Sequence, residues 1–270
     1  MSDTYDRSLA HWSEDGRQEM EAFYAVATKD YRLLVEAHDW PKVLAALPAG
    51  DRRVLDVACG SGKFPSALVD HAKLATEPAI QVDLLDPSAF SIEEAARALR
   101  PPFARGDDLC LMVQDLDEDR SYPLVWAVHG LYAVPTTDLD AAMARFVGAI
   151  APGGMGFVAQ ARAEAHYLSF YDRYLQSREG TPYTTAEQVE ASLRGLGASL
   201  EVRPLRYEGI VPADRPDVLE GYLQRCLFDD DLSLPEMLED PALGPYLRSC
   251  RQLDGNYAFA QAVSMIFVRR

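Results

Sequence analysis

The sequence predicts an α/β fold: a doubly wound, mostly parallel sheet with helices on both faces. Three observations carry this expectation. Short apolar runs alternate with amphipathic stretches from residue 52 to residue 161. The first run opens into a glycine-bearing turn, Cys59-Gly60-Ser61-Gly62, and the second closes on an acid, Asp86. Strands alternating with helices imply parallel βαβ units, which cross over right-handedly and bury both faces of the sheet.

The elements follow in order. Residues from Ser13 to Leu47 read as helical, because Met20, Phe23, Tyr24, Ala27, Tyr31, Leu34 and Val35 recur at intervals of three and four. Pro41 and the Pro48-Ala49-Gly50 stretch punctuate the end. VLDVA (54–58) is a strand and KFPSALVDHA (63–72) a helix. IQVDLLD (80–86) is the next strand, and SIEEAARALR (91–100) a helix with Ser91 and Glu94 spaced as a capping box. LCLMV (109–113) and LVWAVHG (124–130) read as two further strands, TDLDAAMARFVGAI (137–150) as a helix, and GFVAQA (156–161) as the fifth strand after a turn at Pro152-Gly153-Gly154. AEAHYLSFYDRYLQ (163–176) reads as an inserted helix and TTAEQVEASLRGLG (184–197) as a regular one. SLEVRPLRYEGIV (199–211) is a long strand whose Pro204 asks for an edge or a bulge. Residues 216–252 are helical, broken at Pro235, Pro241 and Pro245, and the chain closes on the strand YAFAQAVSMIFVRR. The expected organisation is an N-terminal helical cover over 1–50 and a sheet domain over 51–270, with helical insertions at about 162–180 and 213–255.

Composition bounds the function. The chain of 270 residues is 48% hydrophobic and 25% charged, the balance of a globular protein with a sizeable core. Its formal net charge of −16, with no basic run, repels a phosphate backbone and argues against nucleic acid as a partner. Cys59, Cys110, Cys226 and Cys250 form no C-x-x-C pair, so no metal is expected and the thiols fit a reducing cytoplasm. Asp229-Asp230-Asp231 reads as a helix cap before LSLPEML rather than a metal site. The N-terminus is too polar for a signal peptide, and no apolar run approaches the roughly 18 residues of a membrane span. A cytoplasmic protein with no membrane partner is expected.

The chemistry concentrates in Val54-Leu55-Asp56-Val57-Ala58-Cys59-Gly60-Ser61-Gly62-Lys63-Phe64. A P-loop reading fails, since Val57 stands where its first glycine belongs and Phe64 where its hydroxyl residue belongs. A dinucleotide fingerprint is weakened by Pro65 at the third glycine position. The segment resembles motif I of the class I, Rossmann-like S-adenosylmethionine (SAM)-dependent methyltransferases, of the type acting on small molecules. Asp56 matches the motif's acid, Gly60 and Gly62 its second and third glycines, and Ala58 replaces the first.

The resemblance continues downstream, covering residues 52–161 and more loosely 184–211. It implies that the loop through Ser61 approaches the methionine part of SAM, with Asp56 anchoring the amino end. It gives Asp86, in Leu85-Asp86-Pro87-Ser88, the ribose hydroxyls, with Pro87 and Ser88 alongside. It gives Asp115, in Gln114-Asp115-Leu116, the adenine amino group, with Leu116 beside it. Val128-His129-Gly130-Leu131-Tyr132 resembles the cofactor wall after strand four, and Ala151-Pro152-Gly153-Gly154 the lead into strand five. A seventh, antiparallel strand is likewise implied.

Candidate catalytic residues are His129, Tyr132 and His166, since imidazole is the natural base near neutral pH. His129 is read first as a cofactor-wall residue, and His166 equally as a solvent-facing helix residue. Tyr24 and Tyr31 could cover the sulfonium through their ring faces, or pack in the core. Three functions remain open on sequence: methyl transfer to a small acceptor through N, O or C; attack on another sulfonium carbon, releasing methylthioadenosine; and noncatalytic SAM binding. Acceptor and oligomeric state are not legible.

Overall fold

A computed structural model describes residues 7–8 and 17–270, with the side chains of residues 17–25 and 27 outside the description. Its sheet has seven strands: β1 (Arg53–Val57), β2 (Ile80–Leu85), β3 (Phe103–Leu109), β4 (Tyr122–Val128), β5 (Ile150–Ala161), β6 (Ser199–Val211) and β7 (Tyr257–Arg269). They lie in the order β3-β2-β1-β4-β5-β7-β6. The first five are parallel, and β7 runs antiparallel to both β5 and β6. Strand order reverses between β1 and β4, the point at which open α/β sheets bind ligands beyond the carboxyl ends of their strands.

Helices α1 (Arg17–Glu36), α2 (Trp40–Ala45), α3 (Lys63–His71) and α4 (Ala89–Ala98) precede β3. One sheet face packs an aromatic core in which Phe64 meets Trp40 at 5.2 Å and Trp126 at 5.3 Å between ring centroids. Leu34, Val35, Trp40, Leu44 and Leu47 belong to this core. The other face is covered by α5 (Leu139–Gly148) and α7 (Ala186–Gly195) through Phe146, Val189 and Leu193. A third cluster joins α6 (His166–Tyr174), α8 (Pro216–Leu227), α9 (Leu234–Glu239) and α10 (Leu243–Cys250) around Tyr171, Tyr222 and Phe259.

Four local expectations are corrected. The third strand is FARGDDL, ahead of LCLMV; as an edge strand it needs no apolar run and exposes most of its residues. Asp83 anchors it by accepting the Asp107 N–H at 2.9 Å, and a Cβ on Gly106 would fall 2.1 Å from Asp83 Oδ1. Residues 110–112 instead lead into a 3-10 turn, Val113–Asp115. Helix α4 starts earlier than Ser91: Ser88 is its N-cap, its Oγ accepting the Ser91 N–H at 3.2 Å. Strand β5 begins at Ile150, with Pro152-Gly153-Gly154 absorbed where pairing jumps from Tyr122↔Ile150 to Leu124↔Met155. Helix α9 is capped by Ser233 with Glu236, not by the aspartate run, of which Asp229 accepts the Tyr174 hydroxyl at 2.7 Å.

Pro204 sits in β6, at the free edge of the sheet, where a missing N–H costs no ladder bond. Among the described residues, no group of His, Cys, Asp and Glu could hold a metal ion, and no helix is long and apolar enough to cross a membrane.

Candidate active site

A cleft enclosing about 1020 Å³, its open mouth included, lies over the carboxyl ends of β1, β2 and β4. Its floor is the loop after β1. Ala58, Gly60 and Gly62 adopt φ of 53°, 51° and 68°, turning the chain sharply into α3. Glycine takes this region freely, whereas an alanine there costs about 1–2 kcal/mol. Ala58, Cys59, Gly60, Ser61 and Lys63 line the cleft. Gly62 does not: a Cβ there would come 3.0 Å from the Ala95 Cα, so this glycine lets α3 pack on α4.

Two buried acids face the loop. Asp56 is 3% exposed and its Oδ2 has no hydrogen-bond partner. Burial, reinforced by neighbouring Asp86, pushes its carboxyl up to about 8. Asp86 Oδ2 accepts the Gly60 N–H at 3.0 Å and Oδ1 the Ser88 N–H at 2.9 Å. Burial raises Asp86 to about 6 against the stabilising pull of those two N–H groups. Pro87 lines the cleft beside Asp86, while Ser88 is spent on capping α4.

The wall after β3 differs from expectation. Met112, Val113 and Gln114 line the cleft; Asp115 and Leu116 do not, and Leu116 is buried in the second core. The expected position assumed a strand over 109–113. Because the chain is already turning there, the wall falls one step upstream.

The fourth side is Val128, His129, Leu131 and Tyr132. His129 has φ 54°, donates its backbone N–H to Ala159 O at 2.9 Å, and holds Nε2 2.6 Å from Oδ2 of Asp30 on α1. Left-handed residues other than glycine concentrate where structure elsewhere enforces them, commonly at functional sites. Tyr31 lines the cleft and meets the His129 ring edge-on at 5.7 Å. Tyr132 stacks with Phe228 and meets Tyr183 edge-on, its hydroxyl 3.0 Å from Ser8 Oγ. The Tyr24 side chain lies outside the described residues.

His166 is neither on the cleft nor facing solvent. It is fully buried, 4.1 Å from the Phe259 ring, with Phe170, Tyr222 and Tyr246 stacked around it and Nδ1 2.8 Å from the Tyr246 hydroxyl. Burial depresses it to about 3, which favours the neutral ring within this aromatic cluster.

Asp30, Lys63, Met112 and Gln114 were missed by sequence reasoning. Asp30 carried a signal: it stands three residues after Ala27 and four before Leu34, on the apolar stripe of α1. A buried acid on such a stripe needs a partner.

Residues 54–154 match the family model described as a methyltransferase domain. Magnesium protoporphyrin IX methyltransferase (ChlM) from Synechocystis PCC 6803, solved with bound SAH, aligns over 99% of this chain and 100% of that one, at 11% identity and a TM-score of 0.57. The YcgJ protein from Bacillus subtilis aligns over 89% and 97%, at 13% identity and a TM-score of 0.54. No curated protein matches the sequence. A glycine loop and two acids thus lie at the switch point of a seven-stranded sheet of the class I, Rossmann-like fold, within the segment that matches the methyltransferase-domain model.

Proposed function

We propose that the protein is a SAM-dependent methyltransferase acting on a small organic acceptor. The observation that carries this reading is the Asp56 carboxyl group: buried, in the lining of the cleft, and with one oxygen lacking a hydrogen-bond partner. Such a group calls for a cationic donor, and the α-amino group of SAM is one. Asp86 has lone pairs left beyond its two backbone bonds and would accept the ribose hydroxyls.

SAM, when bound, supplies an electrophilic methyl group on a sulfonium. The chain's part is to orient it and keep water out. Val113, Val128 and Leu131 give the cleft apolar walls, and Tyr31 and Tyr132 bring aromatic faces. In-line displacement draws most of its rate from such alignment. The acidic surface, with a net charge of −16, favours a small-molecule acceptor over nucleic acid. Four free cysteines, three of them buried, fit a reducing cytoplasm.

Calorimetric titration with SAM, S-adenosylhomocysteine and NAD tests cofactor choice; NAD binding without SAM binding would falsify it. Chromatography of the products separates reaction classes. Release of S-adenosylhomocysteine in the presence of acceptor supports methyl transfer. Methylthioadenosine from enzyme and SAM alone, above the spontaneous background, would replace it with attack on another carbon.

A further inference from the structure

We propose that Asp30 and His129 form a proton-accepting dyad in which Asp30 fixes the imidazole tautomer and Nδ1 of His129 takes the acceptor's proton. The inference rests on the methyltransferase reading and adds to it a catalytic residue, a positioning residue and an acceptor class.

The geometry begins with a distance. His129 Nε2 stands 2.6 Å from Asp30 Oδ2, a close contact without the alignment of a hydrogen bond. Two electron-pair acceptors that close repel unless a proton lies between them. Asp30 is 3% exposed, and its other oxygen takes no hydrogen-bond partner within the fixed geometry. A carboxylate so enclosed is tolerated only against donors: the Tyr207 hydroxyl lies against Asp30, and an imidazole N–H turned toward Oδ2 would be a second. With the proton on Nε2, a neutral ring presents its lone pair at Nδ1. His129 lines the cleft.

The ring is held on every side. The left-handed φ of 54° and the backbone bond to Ala159 fix its direction from β4. Tyr31 abuts it from α1, and Tyr207 lies against Asp30 from β6. Across the cleft the charged groups are Asp56, Asp86 and Lys63. Asp30 acts through His129 and touches no reacting atom, so it is a positioning residue.

The acceptor's electron pair bonds to the methyl carbon, the carbon–sulfur bond breaks with its electrons left on sulfur, and the acceptor's proton passes to Nδ1. The resulting imidazolium is held against the Asp30 carboxylate until the proton leaves to solvent. A base in this position serves a protic nucleophile, so the acceptor is a phenol or an amine.

The test is ¹⁵N NMR of the full-length protein labelled at histidine, with the His129 signal identified by its loss in His129→Gln. Asp30→Asn, which preserves shape, and Asp30→Ala are compared with the wild type, with SAM affinity measured in parallel. The dyad requires an Nε2–H tautomer in the wild type that becomes mixed in both Asp30 variants. SAM affinity should stay within about threefold in Asp30→Asn, while S-adenosylhomocysteine release across a panel of phenols and amines falls at least about tenfold. An Nδ1–H tautomer in the wild type, or a tautomer and turnover indifferent to both Asp30 substitutions, overturns the dyad alone. SAM binding without turnover of any phenol or amine overturns the acceptor class. A wild type that does not bind SAM overturns the functional reading and the dyad's role with it.

Discussion

The Cβ of Ala58 lies 2.4 Å from where a Cβ on Gly130 would stand, so the loops after β1 and β4 meet with no room between them. Ala58 holds the left-handed φ that the first motif glycine would supply, and Gly130 yields the space its methyl group needs. Gly130→Ala should therefore destabilise by about 1–3 kcal/mol, the range for overpacking, and weaken SAM binding. Adding Ala58→Gly removes the opposing methyl and should recover most of the loss. Thermal unfolding and calorimetry on the two single variants and the double check this; simple additivity would show that the two residues do not press on one another.

Asp86→Ala should weaken SAM binding by roughly 1.5–3 kcal/mol, the range for hydrogen bonds to a charged group. The same change frees the Gly60 N–H, which water can reach at the cleft wall, and the Ser88 N–H; β1, β2 and β4 stay paired, so the fold should survive. Calorimetry on a variant with unchanged circular dichroism decides the point. Undiminished affinity would remove Asp86 from the site.

The Asp56 carboxyl, raised to about 8 by burial, gives a pH signature. Its folded value lies above the unfolded one, so the folded protein holds the extra proton and loses stability as pH rises from about 4 to about 8. A bound cationic amine favours the ionised form. SAM binding at pH 7 should then release about one proton, read from enthalpies measured in buffers of different ionisation heat. Asp56→Asn should abolish the release. Proton uptake, or none, would place the amino group elsewhere.

Periodicity made β1, β2 and β4 legible because central strands of a parallel sheet are buried on both faces and must be apolar. It misplaced β3 because an edge strand such as FARGDDL can be polar when Asp83 and the Arg105–Asp108 pair hold it. That one shift put the expected adenine contact on Asp115, which lies off the cleft, whereas Gln114 lines it. That Asp56, Ala58, Gly60, Asp86 and His129 share one cleft was legible because local spacing fixes a strand end and its turn. Asp30 was not, since its partner lies 99 residues away and only tertiary packing brings α1 to β4. His166 misled for the opposite reason: a histidine among aromatic residues reads as chemistry until the rings of Phe259 and Tyr222 are seen to enclose it.

His166 should govern acid stability rather than activity. Burial depresses it to about 3, whereas an unfolded chain titrates it near 6.5. The unfolded state therefore takes up a proton that the folded state refuses, and stability is lost as pH falls from about 6.5 toward 3, by up to about 1.4 kcal/mol per pH unit. His166→Phe keeps a ring among Phe170, Tyr222 and Phe259 and removes the titration, at the cost of the contact with the Tyr246 hydroxyl. At pH 7 the variant should be modestly less stable, because that contact is lost. Between pH 6.5 and 4 its urea midpoint should fall less steeply than that of the wild type. SAM affinity should change by less than about twofold, because the residue lies off the cleft. Parallel acid slopes would show that the buried imidazole charges within the fold, and lost SAM binding would return His166 to the site.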